Sequence, residues 1–228
     1  MSDPVAKAGV YILADDFPVK KKKKLTPEEL IAIIPEYDAL VVRSETKVTK
    51  DVIEAAKNLK VIGRAGVGVD NIDVEAATQR GIIVLNAPEG NTIAATEHTV
   101  AMMMALARNV PQAYSSLQNG LWERSKFTGV EVRGKTLGIL GLGRIGSGVA
   151  KRALAMEMKV VVYDPFIRAE QAEALGVEIA ELDEIFAQAD FITLHLPLTA
   201  ETKKLINKAA FAKMKKGVRI INVARGGV

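Results

Sequence analysis

Thr136-Leu137-Gly138-Ile139-Leu140 runs without a break into Gly141-Leu142-Gly143-Arg144-Ile145-Gly146, and Asp164 stands 18 residues beyond the last of these glycines. The first stretch is a short apolar run of strand type. A helical pattern follows the glycines. Lys159-Val160-Val161-Val162-Tyr163 then reads as a second strand, ending at Asp164. Strand, glycine turn, helix and a second strand tipped by an acid together form a dinucleotide-binding fingerprint. The glycines permit a tight turn and let backbone approach a pyrophosphate. The helix that starts there offers unpaired N–H groups and the positive end of its dipole to phosphate. An acid at the next strand tip takes the ribose hydroxyls and repels a 2′-phosphate, so NAD is expected over NADP. A bare glycine triplet would say little; this surrounding order makes it specific.

Composition narrows the remainder. The 228 residues suffice for one large or two small domains. There is no cysteine, which excludes disulfides, thiolate nucleophiles and cysteine-held zinc or iron–sulfur centres. Two histidines, His98 and His195, leave little for a histidine metal site, and none is expected. Met1-Ser2-Asp3-Pro4 does not open a signal peptide, and the longest apolar run, Val100 to Ala107, is too short to span a bilayer. A cytoplasmic enzyme is expected. The basic balance does not imply a nucleic-acid partner: removing the five lysines Lys20 to Lys24 takes the formal charge from +4 to −1. The basicity is one local run, read as a solvated loop or edge strand.

Strand-like and helix-like segments alternate along the whole chain, which predicts parallel sheets covered by helices. Helices are expected over 4–13, from Pro27 with Thr26 as cap, and over 51–58, 74–80, 92–108, 168–175, 182–188 and 203–214. Strands are expected over 39–43, 60–63, 82–85, 136–140 and 159–163, near Val177, and over 191–195 and 218–223. At least four αβ units precede the fingerprint, enough for a domain of their own. The break is expected near Pro88, with Asn91 to Arg108 crossing between domains.

In such sheets ligands lie beyond the carboxyl ends of strands. Four tips carry polar or glycine-rich sequence: Arg43-Ser44, Arg64 to Asn71, His195-Leu196-Pro197, and Asn222 to Gly227. Gly66-Val67-Gly68 reads as a backbone nest for a carboxylate, or as a plain turn. Arg225 beside two glycines reads as a fork for a carboxylate or carbonyl oxygen. Arg43 and Arg64 read either as a second anion site or as inter-element ion pairs. His98 is expected to pack or to hydrogen-bond at the domain boundary. His195 either lines the cofactor pocket or is structurally satisfied, and Met102, Met103 and Met104 fill core.

Val42-Arg43-Ser44, Gly63 to Asp73, Asn86-Ala87-Pro88 with Gly90-Asn91-Thr92, Gly134 to Gly138, the fingerprint, and Asn222-Val223-Ala224-Arg225-Gly226-Gly227 recur in this order in one family. The chain resembles the D-isomer-specific 2-hydroxyacid dehydrogenases over essentially its whole length. Trp122-Glu123-Arg124 with Phe127, Arg43 and Arg64 places the resemblance in the branch acting on a phosphorylated 2-hydroxy acid, 3-phospho-D-glycerate, at the first step of serine synthesis.

The resemblance implies a two-domain α/β fold: a Rossmann-type, doubly wound parallel sheet inserted into a flavodoxin-like substrate domain. Here residues 1–88 would be the substrate domain and 89–228 the NAD-binding domain. It implies that Gly141, Gly143, Arg144, Ile145 and Gly146 hold the pyrophosphate and Asp164 the adenosine ribose. Val67 and Thr92 would line the nicotinamide end, and His195, Leu196, Val223 and Ala224 the rest of the pocket. Arg225 would bind and polarise the substrate, beside Ser44, Gly66, Val67 and Gly68. Arg43, Arg64 and Arg124, the last from the same chain or from a partner subunit, would meet its phosphate. A homodimer is implied, with neither membrane nor nucleic acid as partner. The family's catalytic histidine, the glutamate that orients it and a returning segment of the substrate domain would lie past Val228, and the first strand would precede Met1. The chain is therefore expected to be a fragment, or the ordered part, of a longer enzyme. Two other functions stay open: another D-2-hydroxyacid dehydrogenase of glyoxylate or hydroxypyruvate type, and a noncatalytic NAD-binding protein of corepressor kind.

Overall fold

The strands that flank the glycine turn form the middle of a five-stranded parallel sheet. The computed structural model describes residues 1–22 and 25–228, so Lys23 and Lys24 of the lysine run lie outside the described residues. Lys20, Lys21 and Lys22 are exposed and in no regular element, and Lys22 N–H donates to Met1 O at 2.9 Å. The chain divides into two units, Met1–Asn91 and Thr92–Val228.

The first unit contains helices α1 (Lys7–Asp16), α2 (Pro27–Ile33), α3 (Lys50–Ala55) and α4 (Val74–Gln79), and strands β1 (Ala39–Val42), β2 (Val61–Arg64) and β3 (Ile83–Asn86). α2 starts where its sequence predicts: Thr26 Oγ1 accepts from Glu29 N–H at 3.2 Å and Glu29 Oε2 accepts from Thr26 N–H at 2.8 Å, a reciprocal capping box ahead of Pro27. The strands pair in parallel in the order β1-β2-β3. Among the described residues the sheet has three strands, so three αβ units and α1 stand where four or more were expected. One face is closed by α2, α3 and α4 over Leu30, Ile34, Val42, Ile53, Ile62 and Ala77. On the other face Ile83 and Leu85 stay 60% and 56% exposed, beside a groove of about 620 Å³ that Leu13, Phe17, Val41 and Val61 also line.

The second unit begins with the long helix α5 (Thr92–Arg108) and continues through α6 (Val110–Gln118), β4 (Thr136–Leu140), α7 (Arg144–Ala155), β5 (Lys159–Tyr163), α8 (Ala169–Leu175), β6 (Glu178–Ile179), α9 (Leu182–Gln188), β7 (Phe191–Leu194), α10 (Lys208–Lys213) and β8 (Arg219–Asn222). All strands are parallel, in the order β6-β5-β4-β7-β8. The central strands are buried on both faces, which explains their unbroken apolar runs. Met103, Val149, Ala150 and Ala153 of α5 and α7 pack on one face; Ile185, Phe186 and Ala210 of α9 and α10 pack on the other. Of the three consecutive methionines, Met103 is buried and Met104 packs at the core edge, whereas Met102 is 42% exposed. Strand order reverses between β4 and β7, so a ligand crevice opens beyond their carboxyl ends.

Gly138 shows how tightly β4 is held. A Cβ there would overlap Ile185 Cγ2 and lie 3.3 Å from Ala189 Cβ, both fully buried on α9 and its end. Gly138→Ala is expected to cost about 1–3 kcal/mol by overpacking. A urea-unfolding midpoint that does not fall would contradict this packing.

Candidate cofactor and anion sites

Three strand ends meet at the turn after β4. Gly141 adopts φ +96, and a Cβ on it would sit 2.9 Å from the carbonyl carbon of His195 and 3.1 Å from Leu196 Cδ2. Only glycine fits both the angle and the space. Its N–H donates to Tyr163 O at 2.8 Å, and His195 N–H donates to Leu140 O at 2.8 Å. The turn is thus stitched to β5 on one side and to β7 on the other. Gly146 serves the same contact from the helix: a Cβ there would overlap Gly141 O.

Gly143 differs from both. It has an ordinary φ of −68 as the N-cap of α7, it is exposed, and no atom lies within 4 Å of where its Cβ would be. No side chain caps the helix, so its first N–H groups face that open space with the positive end of a twelve-residue dipole behind them. This is the volume and the donor set that a pyrophosphate requires. The exposed side chain of Arg144 and the partly buried Ile145 flank it.

Asp164 follows β5 with its two carboxylate oxygens directed to backbone: Oδ2 accepts from Leu142 N–H at 2.8 Å and Oδ1 from Phe166 N–H at 2.9 Å. The acid therefore shapes the glycine turn, and each oxygen keeps a further lone pair for ribose hydroxyls. Sequence reading missed the Leu142 bond, because it joins residues from different strand ends. It also passed over Phe166, an 89% exposed ring two residues from Asp164 and a flat surface suited to stacking a base.

His195 lies at the tip of β7. Its Nε2 is 3.1 Å from the buried hydroxyl of Thr193, and burial pushes its pKa down from 6.5 to about 4. It is neutral near pH 7 and a weak proton acceptor there. His98, by contrast, stands exposed on α5, contrary to the packing expected for it. Leu196 is buried under the turn, and Thr92 opens α5, its carbonyl accepting from Thr96. Beyond β8, Asn222 folds the chain back: its Oδ1 accepts from Ala224 N–H at 3.0 Å and its Nδ2 donates to Arg225 O at 2.9 Å. This turn, legible as an asparagine at a strand end, holds Arg225, while Val223 packs on the core.

In the first unit, Arg43 and Ser44 are exposed beyond β1, and Arg64 ends β2. Among the described residues neither guanidinium meets a carboxylate; Arg43 Nη1 reaches only Pro4 O, at 3.4 Å. Arg64 Nε is buried with no partner. Its guanidinium lies over Gly66, where a Cβ would overlap Nη1. Gly66 N–H already donates to Arg64 O at 2.8 Å. Gly66 therefore supplies space for the arginine and not a donor for a nest, while Val67 O accepts from Asn86 at 2.6 Å and Gly68 follows it in the same partly buried loop. In the second unit, Arg124 and Trp122 are exposed on a cleft of about 500 Å³ that Tyr114, Leu117, Leu121 and Phe127 also line. Among the described residues no helix is long and apolar enough to cross a membrane, and no cluster of acids and histidines could hold a metal.

Comparison with known proteins agrees with this geometry. Residues 100–228 match the D-isomer specific 2-hydroxyacid dehydrogenase, NAD binding domain. The D-3-phosphoglycerate dehydrogenase of Archaeoglobus fulgidus is 54% identical over 229 residues, covering 100% of this chain and 44% of that protein. The protein of the same name from Synechocystis is 56% identical over 228 residues, covering 100% and 41%. The chain thus spans less than half the length of these curated relatives. A D-lactate dehydrogenase from Aquifex aeolicus, solved with NAD and lactic acid, superposes with a TM-score of 0.88 at 30% identity, over 98% of this chain and 68% of that one.

Two outcomes test the site. Gly143→Ala is expected to cost up to about 1 kcal/mol of stability, as alanine is the poorer N-cap, and to weaken NAD binding by roughly tenfold, since its methyl enters the open space. Unchanged affinity in a calorimetric titration would move the pyrophosphate elsewhere. The second concerns pH. His195 has a lower pKa folded than unfolded, so above about pH 6.5 it adds nothing to the pH dependence. As pH falls from 6.5 towards 4 the unfolded chain takes a proton that the folded one refuses, and up to about 3 kcal/mol of stability is lost. His195→Asn is expected to flatten that loss between pH 6.5 and 4. Parallel stability curves for the two proteins would show that the histidine is not buried as described.

Proposed function

The chain belongs to the D-isomer specific 2-hydroxyacid dehydrogenase family, and we propose that the protein carrying it oxidises 3-phospho-D-glycerate to 3-phosphohydroxypyruvate, the first step of serine synthesis, with NAD. The observation that supports a phosphorylated substrate is Arg64. An arginine cannot shed its charge, and a buried Nε without a partner is costly unless a ligand completes it. With Arg43, whose guanidinium also meets no carboxylate among the described residues, it offers donors suited to a phosphate at the strand tips of the first unit. Residues 1–88 then form part of the substrate domain and 89–228 the cofactor domain.

In this reading Gly143 and the first N–H groups of α7 take the pyrophosphate, with Arg144 and Ile145 beside them. Asp164 takes the adenosine ribose, while Thr92, His195, Leu196, Val223 and Ala224 line the remainder. NAD when bound supplies the hydride acceptor. Arg225 binds the substrate carboxylate and polarises the oxygen on the carbon that loses hydride, so negative charge arising there is met by a fixed cation. Oxidation also needs a base for the hydroxyl proton. Neutral His195 is unsuited to it, and His98 is not assigned to it. The exposed aromatic cleft around Trp122 and Arg124 is assigned to contact with a second copy, giving a cytoplasmic homodimer.

Replacing Arg64 by Gln in the intact protein removes charge-assisted hydrogen bonds of about 1.5–3 kcal/mol. The KM for 3-phospho-D-glycerate is expected to rise by roughly tenfold or more, with NAD affinity unchanged. Initial rates against a panel of 2-hydroxy acids read both quantities. An unmoved KM, or equal activity on D-lactate and 3-phospho-D-glycerate, would overturn the phosphate assignment.

A further inference from the structure

Asp3 is 4% exposed, yet among the described residues no lysine or arginine pairs with its carboxylate. A buried charge of this kind is costly and survives only where hydrogen bonds replace water. Here every donor comes from one loop. Oδ2 accepts from Arg43 N–H at 2.5 Å and from Thr46 N–H at 3.2 Å; Oδ1 accepts from Thr46 N–H at 3.1 Å and from the Thr46 hydroxyl at 2.5 Å. The same hydroxyl lies 2.8 Å from Ser2 Oγ.

The loop is held from its other side too. Asn71 Nδ2 donates to Arg43 O at 2.8 Å and to Thr46 O at 2.7 Å. Both amide hydrogens are spent on the loop, and Asn71 Oδ1 is left buried without a partner. Residues 43 and 46 therefore have their N–H groups taken by Asp3 and their carbonyls by Asn71. Between them the side chains of Arg43 and Ser44 stay exposed. A segment with no regular structure is fixed at four backbone points by two side chains from distant parts of the sequence.

We propose that Asp3, with Asn71 opposite it, is a positioning residue that sets the pose of Arg43 and Ser44 for recognition of the substrate's phosphate. This rests on the reading of Arg43 as a phosphate-binding residue. Packing alone would be served by a neutral residue. What the charge adds is a rigid acceptor for three donors, which removes freedom from the backbone that carries the arginine. Asp3 itself touches no substrate in this proposal; it acts through Arg43.

The test compares the intact wild-type protein with Asp3→Asn, Thr46→Val, Arg43→Gln and the double variant Asp3→Asn/Arg43→Gln. The readout is the ratio of kcat/KM for 3-phospho-D-glycerate to that for D-glycerate, which lacks the phosphate, together with NAD affinity and Tm. Asp3→Asn is expected to lower the ratio by roughly tenfold, through the KM of the phosphorylated substrate, because small misplacements of a binding group are expensive. NAD affinity is expected to hold. The double variant is expected to be no worse in this ratio than Arg43→Gln, since both act through one group. If Asp3→Asn impairs both substrates alike, Asp3 is only structural and the proposal falls. If Asp3→Asn does not fold, Thr46→Val, which removes a single hydroxyl, decides: an unchanged ratio overturns the proposal and a lowered one supports it. If Arg43→Gln leaves the ratio untouched, the reading of Arg43 itself has failed and takes this proposal with it. If Arg43→Gln lowers the ratio and Asp3→Asn does not, the positioning role alone is refuted.

Discussion

The backbone contact between Gly141 and His195 is the constraint on which the cofactor unit depends. At φ +96, with the His195 carbonyl carbon 2.9 Å from the position a Cβ would take, the turn after β4 can close only as glycine. Closing it brings the ends of β4, β5 and β7 to one point. That convergence seats Leu142 N–H on Asp164, starts α7 at Gly143 and buries Leu196 beneath. A looser turn would leave the helix N-terminus and the acid unrelated to each other. Because it is rigid, the N–H groups at the start of α7 and the Asp164 carboxylate are oriented before any ligand arrives, and little ordering would remain for binding to offset.

The two units treat their polar groups differently. Around the glycine turn nearly every named group has a protein partner, including both oxygens of Asp164. At the strand tips of the first unit, Arg64 Nε is buried with none. In the loop of Arg43 the backbone of residues 43 and 46 is engaged by Asp3 and Asn71, while the guanidinium reaches only Pro4 O.

Much of this architecture could be read from residues, and the exceptions have physical causes. β4, β5, α5 and α9 occupy the ranges that their patterns predict, because buried parallel strands and long helices carry strong periodicity. α6 was not foreseen, although Val110, Ala113, Tyr114 and Leu117 have helical spacing. Pro111 and the left-handed Asn109 ahead of it resemble a loop until seen as a helix start. The helix expected over 203–214 shrinks to α10, because Thr199 and Thr202 bond each other in a turn, Lys204 takes φ +57, and Asn207 caps the helix only there. Strand-tip residues were identifiable as candidates because parallel sheets put their ligands at strand ends. What no pattern discloses is which backbone group a side chain will choose across the fold. Asp164 on Leu142, Asp3 on Arg43 and Thr46, and Arg64 laid across Gly66 are all of that kind.

The central claim is that the pinned glycine turn and Asp164 form one site that accepts a ribose with free hydroxyls. Calorimetric titration of the unmodified protein with NAD and, separately, with NADP addresses it most directly. One saturable NAD site is expected, with NADP weaker by at least about tenfold, or ~1.4 kcal/mol, because its phosphate would face the Asp164 carboxylate. Equal affinity for the two cofactors, or tighter binding of NADP, would contradict it.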